Sequence, residues 1–166
     1  MALVDCDLHR PNVHRMFDSP RGPGLTDYFG GGVALDEIVH YDRGSGVTYV
    51  PAGTALSEET RRITSDRLRP LIDQLGEKYA FIILDSAPVL AVSETMLLSQ
   101  IAQKTILVVK WGSTPPPIAR HAAMQLLESD DAEIAVLLSM VNTKRAARYG
   151  DPVAGAYKRL ESYYRR

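Results

Sequence analysis

Aspartates end two apolar segments of this chain. The run that begins at Ala2 ends in Asp5 and Asp7, and the run 81–84 is followed by Asp85. Carboxylates at the C-terminal ends of parallel strands lie where open α/β sheets bind ligands. Three of them suit Mg²⁺ with a phosphate, because this ion keeps several waters and uses few protein oxygens. The pattern predicts a magnesium–nucleotide site; the alternative is that each aspartate only caps a following turn.

The chain contains no Gly-x-x-x-x-Gly-Lys-[Ser/Thr] sequence, the loop that usually holds nucleotide phosphates. The triplet Gly30-Gly31-Gly32 lacks the Lys-[Ser/Thr] pair and follows no predicted strand, which indicates a turn between helices. Phosphoryl transfer depends on positioning and charge stabilisation. We therefore expect little or no catalysis from this chain alone.

Five segments rich in β-branched and aliphatic residues are predicted strands. Helical patterns lie between them, so we expect an α/β fold with a doubly wound, mostly parallel sheet and helices on both faces. The apolar runs 81–84 and 106–109 are typical of strands buried on both faces. The predicted strands are Ala2–Asp5, Val47–Pro51, Phe81–Asp85, Thr105–Lys110 and Ile134–Val141.

Capping residues suggest where the helices begin. Ser65 and Ser93 are predicted N-caps, and Pro70 could shift the start of the first of these helices. The prolines at 115–117 open a further helix. Two short helices are predicted at Leu25–Phe29 and Ala34–Tyr41.

Composition restricts the class of protein. The 166 residues include 19 basic and 20 acidic ones, a net charge of −1 that gives no support for a nucleic-acid partner. The single cysteine, Cys6, excludes an internal disulfide and fits a reducing compartment; between two aspartates it is predicted to be a buried, unreactive thiol. No apolar run is long enough to span a bilayer and no secretory signal is visible. We expect a cytoplasmic protein that does not itself insert into the membrane.

The C-terminal segment 145–166 has little apolar content, and we predict a partly disordered tail. It follows a predicted nucleotide-binding domain at 1–144. The tail holds four of the eight tyrosines of the chain: Tyr149, Tyr157, Tyr163 and Tyr164.

Several motifs together resemble one family. Val4-Asp5-Cys6-Asp7-Leu8 resembles the Walker A′ motif of the bacterial tyrosine kinases (BY-kinases), and Ile83-Leu84-Asp85-Ser86 resembles their Walker B motif. The resemblance covers nearly the whole chain and includes the runs 24–28, 50–53 and 108–114 and the terminal tyrosines. It is close to the autokinases of exopolysaccharide synthesis, which belong to the P-loop NTPases with deviant Walker motifs.

The resemblance implies a role for each candidate residue. Asp7 is expected to accept the proton of a tyrosine hydroxyl, and Asp5 and Asp85 to position Mg²⁺. Asn142 resembles the asparagine beside the adenine of ATP or ADP. The arginine of the family's Asp-x-Asp-x-Arg is replaced by His9, so Arg10 is the candidate substitute on the nucleotide side. The four tail tyrosines are the expected phosphoacceptors.

The same resemblance implies partners and leaves alternatives open. It implies a membrane-bound polysaccharide co-polymerase as activator, at the inner face of the plasma membrane, and a homo-oligomer whose subunits exchange tails. The family's phosphate loop and its strand precede the Walker A′ strand, so we expect a domain that lacks both. The alternatives are a non-catalytic phosphoacceptor or regulatory module, and a partitioning-type ATPase.

Overall fold

The computed structural model describes residues 1–54, 57, 60, 62–128 and 133–146. The chain divides into two compact units, Met1–Gln103 and Lys104–Arg166. The first contains β1 (Ala2–Asp5), α1 (Val13–Met16), α2 (Leu25–Phe29), α3 (Leu35–Ile38), β2 (His40–Asp42), β3 (Val47–Val50), α4 (Ser65–Gly76), β4 (Ile82–Asp85) and α5 (Glu94–Ile101). The second contains β5 (Thr105–Lys110), α6 (Pro116–Leu126), β6 (Ile134–Ser139) and α7 (Thr143–Ala146).

The sheet of the first unit has the strand order β2-β3-β1-β4. Strand β1 pairs in parallel with β3 and β4, and the second pairing places Asp5 opposite Asp85. Helix α4 packs on the core with one apolar face, because residues three and four apart share a face of a helix. Fully buried Leu68, Leu71 and Leu75 form that face, and each such burial contributes about 1.5–3 kcal/mol.

The second unit is built on a two-stranded parallel sheet. Strands β5 and β6 pair over their whole length, from Thr105 opposite Ile134 to Lys110 opposite Ser139. Helix α6 begins at Pro116, where proline is favoured because its missing N–H would have no helical partner. Its buried residues are Ala122 and Leu126. The predicted α/β class is confirmed, and the predicted boundary at residue 144 remains a prediction.

The predicted helix Ala34–Tyr41 is too long. Helix α3 ends at Ile38, and His40–Asp42 form a strand antiparallel to β3. The turn after this strand explains the difference, because Asp42 accepts hydrogen bonds at 2.6 Å from both the N–H and the hydroxyl of Ser45. This turn reverses the chain, so that the segment 40–42 pairs with β3. The pairing outweighs the helix propensity of the segment.

Helix α4 begins at Ser65 although Pro70 lies inside it. The expected shift of its start is therefore wrong, and Thr64 rather than Ser65 is the N-cap. The missing proline N–H removes only a bond to a carbonyl of the first turn, and the three buried leucines outweigh that loss. The predicted start of the next helix is confirmed, because Ser93 occupies the N-cap position of α5, although its side chain makes no capping hydrogen bond.

Burial of β4 and β5 on both faces is a wrong prediction. Phe81 and Ile83 are 73% and 47% exposed, and Ile106 and Val108 are 63% and 57% exposed. Exposure alternates along both strands, as expected where one face of a strand is bare. Within the described residues, no helix combines the length and apolar character needed to cross a bilayer.

Candidate active site at the strand ends

Asp5 is fully buried at the end of β1 and holds the following loop in place. Its Oδ2 accepts hydrogen bonds from the backbone N–H groups of Asn12, at 3.1 Å, and Val13, at 3.0 Å. Its Oδ1 is buried and has no hydrogen-bond partner among the described residues. A buried carboxylate oxygen without a donor is costly, so this atom marks a place for a ligand.

Asp85 lies beside Asp5 because the two residues are opposite each other in the register of β1 and β4. Desolvation, followed by the negative charge of Asp7, raises the pKa of the Asp85 carboxyl. Desolvation also raises the pKa of Asp5, with a further contribution from Asp85, against the lowering effect of the Val13 hydrogen bond. The strand ends therefore form a negatively charged site that a cation would stabilise.

Asp7 stands in a tight turn directly after these residues. Its Oδ1 accepts hydrogen bonds from the backbone N–H groups of His9, at 3.2 Å, and Arg10, at 2.8 Å. The side chain is partly exposed. No described residue bonds to Oδ2, so the turn fixes the carboxylate while leaving one oxygen for a ligand.

The arrangement fits Mg²⁺ better than a metal held by protein ligands alone. Within the described part of the chain, no group of three or more His, Cys, Asp or Glu side chains could hold a metal ion. Mg²⁺ commonly keeps several waters and uses one or two carboxylates with substrate phosphates. The unpartnered Oδ1 of Asp5 and the adjacent Asp85 carboxylate meet that smaller requirement.

Replacing Asp85 by asparagine is expected to stabilise the metal-free chain at neutral pH by about 0.5 kcal/mol, a small effect because the group is exposed. The raised pKa values of Asp5 and Asp85 mean that the folded state holds protons more tightly than the unfolded state. The free energy of unfolding therefore falls as pH rises from the ordinary carboxyl pKa through the raised values. Thermal unfolding in EDTA between pH 4 and 7 should show a smaller fall in Asp85→Asn.

The matched control for this variant is Asp73→Asn, which removes an exposed carboxylate from α4, away from the strand ends. It should follow the pH profile of the unaltered chain. An Asp85→Asn profile that coincides with both would contradict repulsion at the site. Added Mg²⁺ should raise the melting temperature of the unaltered chain more than that of Asp85→Asn.

Cys6 is buried between the two strands and plays no chemical part. Its N–H donates a 2.7 Å hydrogen bond to the carbonyl of Asp85. Burial, and then the charges of Asp5 and Asp85, raise the pKa of the Cys6 thiol. The thiol is therefore protonated at neutral pH, which agrees with the prediction of an unreactive cysteine.

A cationic cleft follows Asp7, and motif reasoning did not identify it. It has a volume of about 580 Å³ and is lined by eight residues, none of them acidic. The sequence feature that could have identified the cleft is the presence of Arg10, Arg15 and Arg21 within twelve positions. Two histidines also line it, and one of them, His14, has a buried Nδ1 without a partner among the described residues.

The remaining predicted site residues belong to the second unit. Asn142 is exposed, and its Oδ1 accepts a 3.0 Å hydrogen bond from the N–H of Arg145 at the start of α7. In this structure it therefore caps a helix, and its role beside adenine stays a prediction. The expected phosphoacceptors lie outside the described residues: Tyr149, Tyr157, Tyr163 and Tyr164.

Known proteins and solved structures resemble this chain over most of its length. No family model matches the chain. A putative tyrosine-protein kinase in the cps region of Klebsiella pneumoniae is 26% identical over 150 residues, which are 90% of this chain and 21% of that protein. This chain thus spans about a fifth of the length of that relative.

The solved structures define the fold more closely. The VpsO kinase domain has a TM-score of 0.78 and 30% identity, over 85% of this chain and 70% of that one. The septum site-determining protein MinD from Pyrococcus horikoshii, solved with Mg-ADP, has a TM-score of 0.51 and 20% identity, over 95% and 75% of the two chains. At 20% identity, the second likeness shows the fold alone. Since the first combines that fold with 30% identity, and the Klebsiella relative is named a tyrosine kinase, the chain belongs to the bacterial tyrosine kinase family.

Proposed function

We propose that this chain supplies the catalytic carboxylates and the acceptor tyrosines of a protein-tyrosine autokinase of exopolysaccharide or capsule synthesis. The reaction transfers the γ-phosphoryl group of ATP to tyrosines within residues 145–166. The observation that carries the proposal is the pairing of Asp5 with Asp85, in which the buried Oδ1 of Asp5 has no hydrogen-bond partner among the described residues. Membership of the family supports it.

The three carboxylates have different roles, which depend on their positions at the strand ends. Asp5 and Asp85 would hold Mg²⁺, largely through water, and the ion would supply positive charge to offset that of the phosphates. Asp7 accepts the proton of the tyrosine hydroxyl on Oδ2, while the two amides on Oδ1 keep the carboxylate in orientation. The tyrosine oxygen then forms the bond to the γ-phosphorus, and ADP leaves.

Two further residues are assigned to the nucleotide. Arg10 is proposed to contact its phosphates, because the guanidinium matches phosphate oxygens in charge and geometry. Asn142 is proposed to contact the adenine. The 166 residues include no Gly-x-x-x-x-Gly-Lys-[Ser/Thr] loop, so efficient transfer requires a loop from another segment or polypeptide.

The proposed activator, location and oligomeric state are taken from the family to which the chain belongs. The activator is a membrane-bound polysaccharide co-polymerase, and the chain works at the cytoplasmic face of the membrane through that partner. Subunits of a homo-oligomer present their tyrosine tails to one another. Each of these statements concerns the whole kinase, of which this chain corresponds to a part.

One alternative has an observation in its favour. A non-catalytic phosphoacceptor module would need the tail tyrosines but no phosphate loop, as in the 166 residues of this chain. A partitioning-type ATPase is supported less, because it needs the loop and gives no reason for four tail tyrosines.

The test compares phosphotyrosine formation in two polypeptides supplied with Mg-ATP. One is the chain of 166 residues; the other has a strand and phosphate loop before Met1, taken from an upstream reading frame or from a relative. We expect autophosphorylation only in the second, since loss of phosphate donors costs several kcal/mol of transition-state stabilisation, roughly 10²–10³ in rate per donor.

Variants of the loop-containing polypeptide identify the acids. Asp5→Asn and Asp85→Asn should abolish phosphorylation, whereas Asp73→Asn should leave it unchanged. Full activity in either site variant would contradict the assignment. If the loop-containing polypeptide stays unmodified but an active kinase phosphorylates the chain in trans, the phosphoacceptor alternative is correct.

A further inference from the structure

Apart from Arg10, which is assigned to the nucleotide phosphates, the cationic cleft beside Asp7 has charges that the proposed chemistry does not account for. Its lining includes His9, Arg10, His14, Arg15 and Arg21. Within the described residues, no hydrogen bond or ion pair engages the side chains of the three arginines, and no acidic residue lines the cleft. Unpaired arginines that share one concavity form a binding site for an anion, because the guanidinium favours multi-oxygen acids.

Hydrogen bonds hold the backbone of the cleft lining in place on two sides. Asp5 Oδ2 holds the N–H groups of Asn12 and Val13, which start the helix that carries Arg15. On the other side, the carbonyl of Arg21 accepts a 3.2 Å hydrogen bond from Gly53. The arginines therefore stand on backbone held from both sides, which reduces the entropy lost on ligand binding.

The charge of the tail indicates which anion suits the cleft. Residues 145–166 contain six basic and two acidic residues, so the unmodified segment is cationic and the cleft repels it. Each phosphotyrosine adds about −1.5 to −2 charges at neutral pH and three acceptor oxygens. Two such groups, for example at Tyr163 and Tyr164, nearly neutralise the segment and place a concentrated negative charge at its end.

We propose that the cleft is a phosphotyrosine-binding site that receives the phosphorylated tail of a second copy of this chain. The inference rests on the proposed function, because the phosphorylated tail is the product of that reaction. The lining of the cleft starts at Leu8, directly after Asp7, so the arginines lie beside the proposed base. Binding there retains the product beside the site and delays the next tail, which regulates the extent of autophosphorylation.

The experiment measures binding of a labelled synthetic peptide with the sequence of residues 155–166 to the full 166-residue chain. The peptide is prepared unmodified and with phosphate on Tyr163 and Tyr164, and fluorescence anisotropy gives the dissociation constants. We expect the phosphorylated peptide to bind about tenfold or more tightly, with the preference falling as salt rises. Equal affinities for the two peptides would overturn the proposal.

A double variant tests the location. Arg15→Gln with Arg21→Gln should weaken phosphopeptide binding about tenfold or more, while Arg43→Gln with Arg69→Gln, an equal charge change outside the cleft, should not. All four arginines are exposed, and thermal unfolding checks that both variants fold. Unchanged binding in the first variant, or equal loss in both, would overturn the assignment.

Competitors separate the possible sources of phosphate. Inorganic phosphate and phosphotyrosine should displace the peptide, whereas Mg-ADP at equal concentration should displace it less. If Mg-ADP displaces it best, the cleft belongs to the nucleotide and the proposal is wrong. The assay requires no catalysis. Phosphopeptide binding by the chain, together with no phosphotyrosine formation in the loop-containing polypeptide, would therefore refute the proposed function alone.

Discussion

Asp7→Asn is expected to lower the rate of tyrosine phosphorylation by about 10²- to 10⁴-fold, the usual contribution of a positioned general base. Asparagine keeps an oxygen for the N–H groups of His9 and Arg10, so the turn survives and the proton acceptor is lost. The measurement is the initial rate of phosphotyrosine formation in the loop-containing polypeptide. Nucleotide affinity should change far less than the rate.

Asp42→Asn is the matched control for that variant. Asp42 also holds a tight turn, through two hydrogen bonds from Ser45, but it lies at the end of β2. It should leave the phosphorylation rate unchanged. If Asp7→Asn retained more than half of the rate, a different group would have to accept the proton, and Asp7 would be a turn residue only.

Gly24→Ala is expected to destabilise the chain by about 3 kcal/mol or more, in the upper range for single substitutions. A Cβ at this position would overlap the carbonyl oxygen of Pro51 and lie 2.5 Å from the N atom of Gly53. These are backbone atoms that cannot move away easily, because the N–H of Leu25 donates a 2.8 Å hydrogen bond to the carbonyl of Pro51. Denaturant unfolding monitored by circular dichroism measures the change.

Gly53→Ala should have an effect of similar size for two reasons. Its φ of +95° is unfavourable for any side chain, and a Cβ would lie 2.5 Å from both Thr26 Oγ1 and Asp27 Oδ2. Gly76→Ala is the control, since nothing lies within 4 Å of its Cβ position. It should change stability by less than about 1 kcal/mol. Equal effects at the three glycines would contradict the close approach of α2 to the loop after β3.

Much of the fold was predictable because its signals are local. Apolar runs with β-branched residues predicted five of the six described strands to within two residues at each end, and Ser93 predicted the start of α5. The segment 40–42 was missed because its strand exists only through pairing with β3. The effect of Pro70 on the start of α4 was predicted wrongly because the local cost of proline is only one contribution. The buried leucines of the same helix outweigh that cost.

The candidate site was predictable only as a set of residue types. Asp5, Asp7 and Asp85 could be identified because each follows an apolar run. Their arrangement could not, since the register that puts Asp5 opposite Asp85 joins segments eighty residues apart in the sequence. The cleft was missed for a related reason: three arginines spread over twelve positions form one site only when the loop after β1 folds back onto Asp5.

The sequence by itself determined the α/β class, the acidic strand ends and the tyrosine-rich segment, because these depend on residue type and on order along the chain. Only the tertiary structure decided that Asp5 is buried, that one of its oxygens accepts hydrogen bonds from Asn12 and Val13, and that the other has no partner in the part of the chain that the structure describes. The physical reason is that burial, hydrogen-bond partners and the repulsion between Asp5 and Asp85 are set by segments that meet in space. Those contacts make the two aspartates a candidate site for a cation.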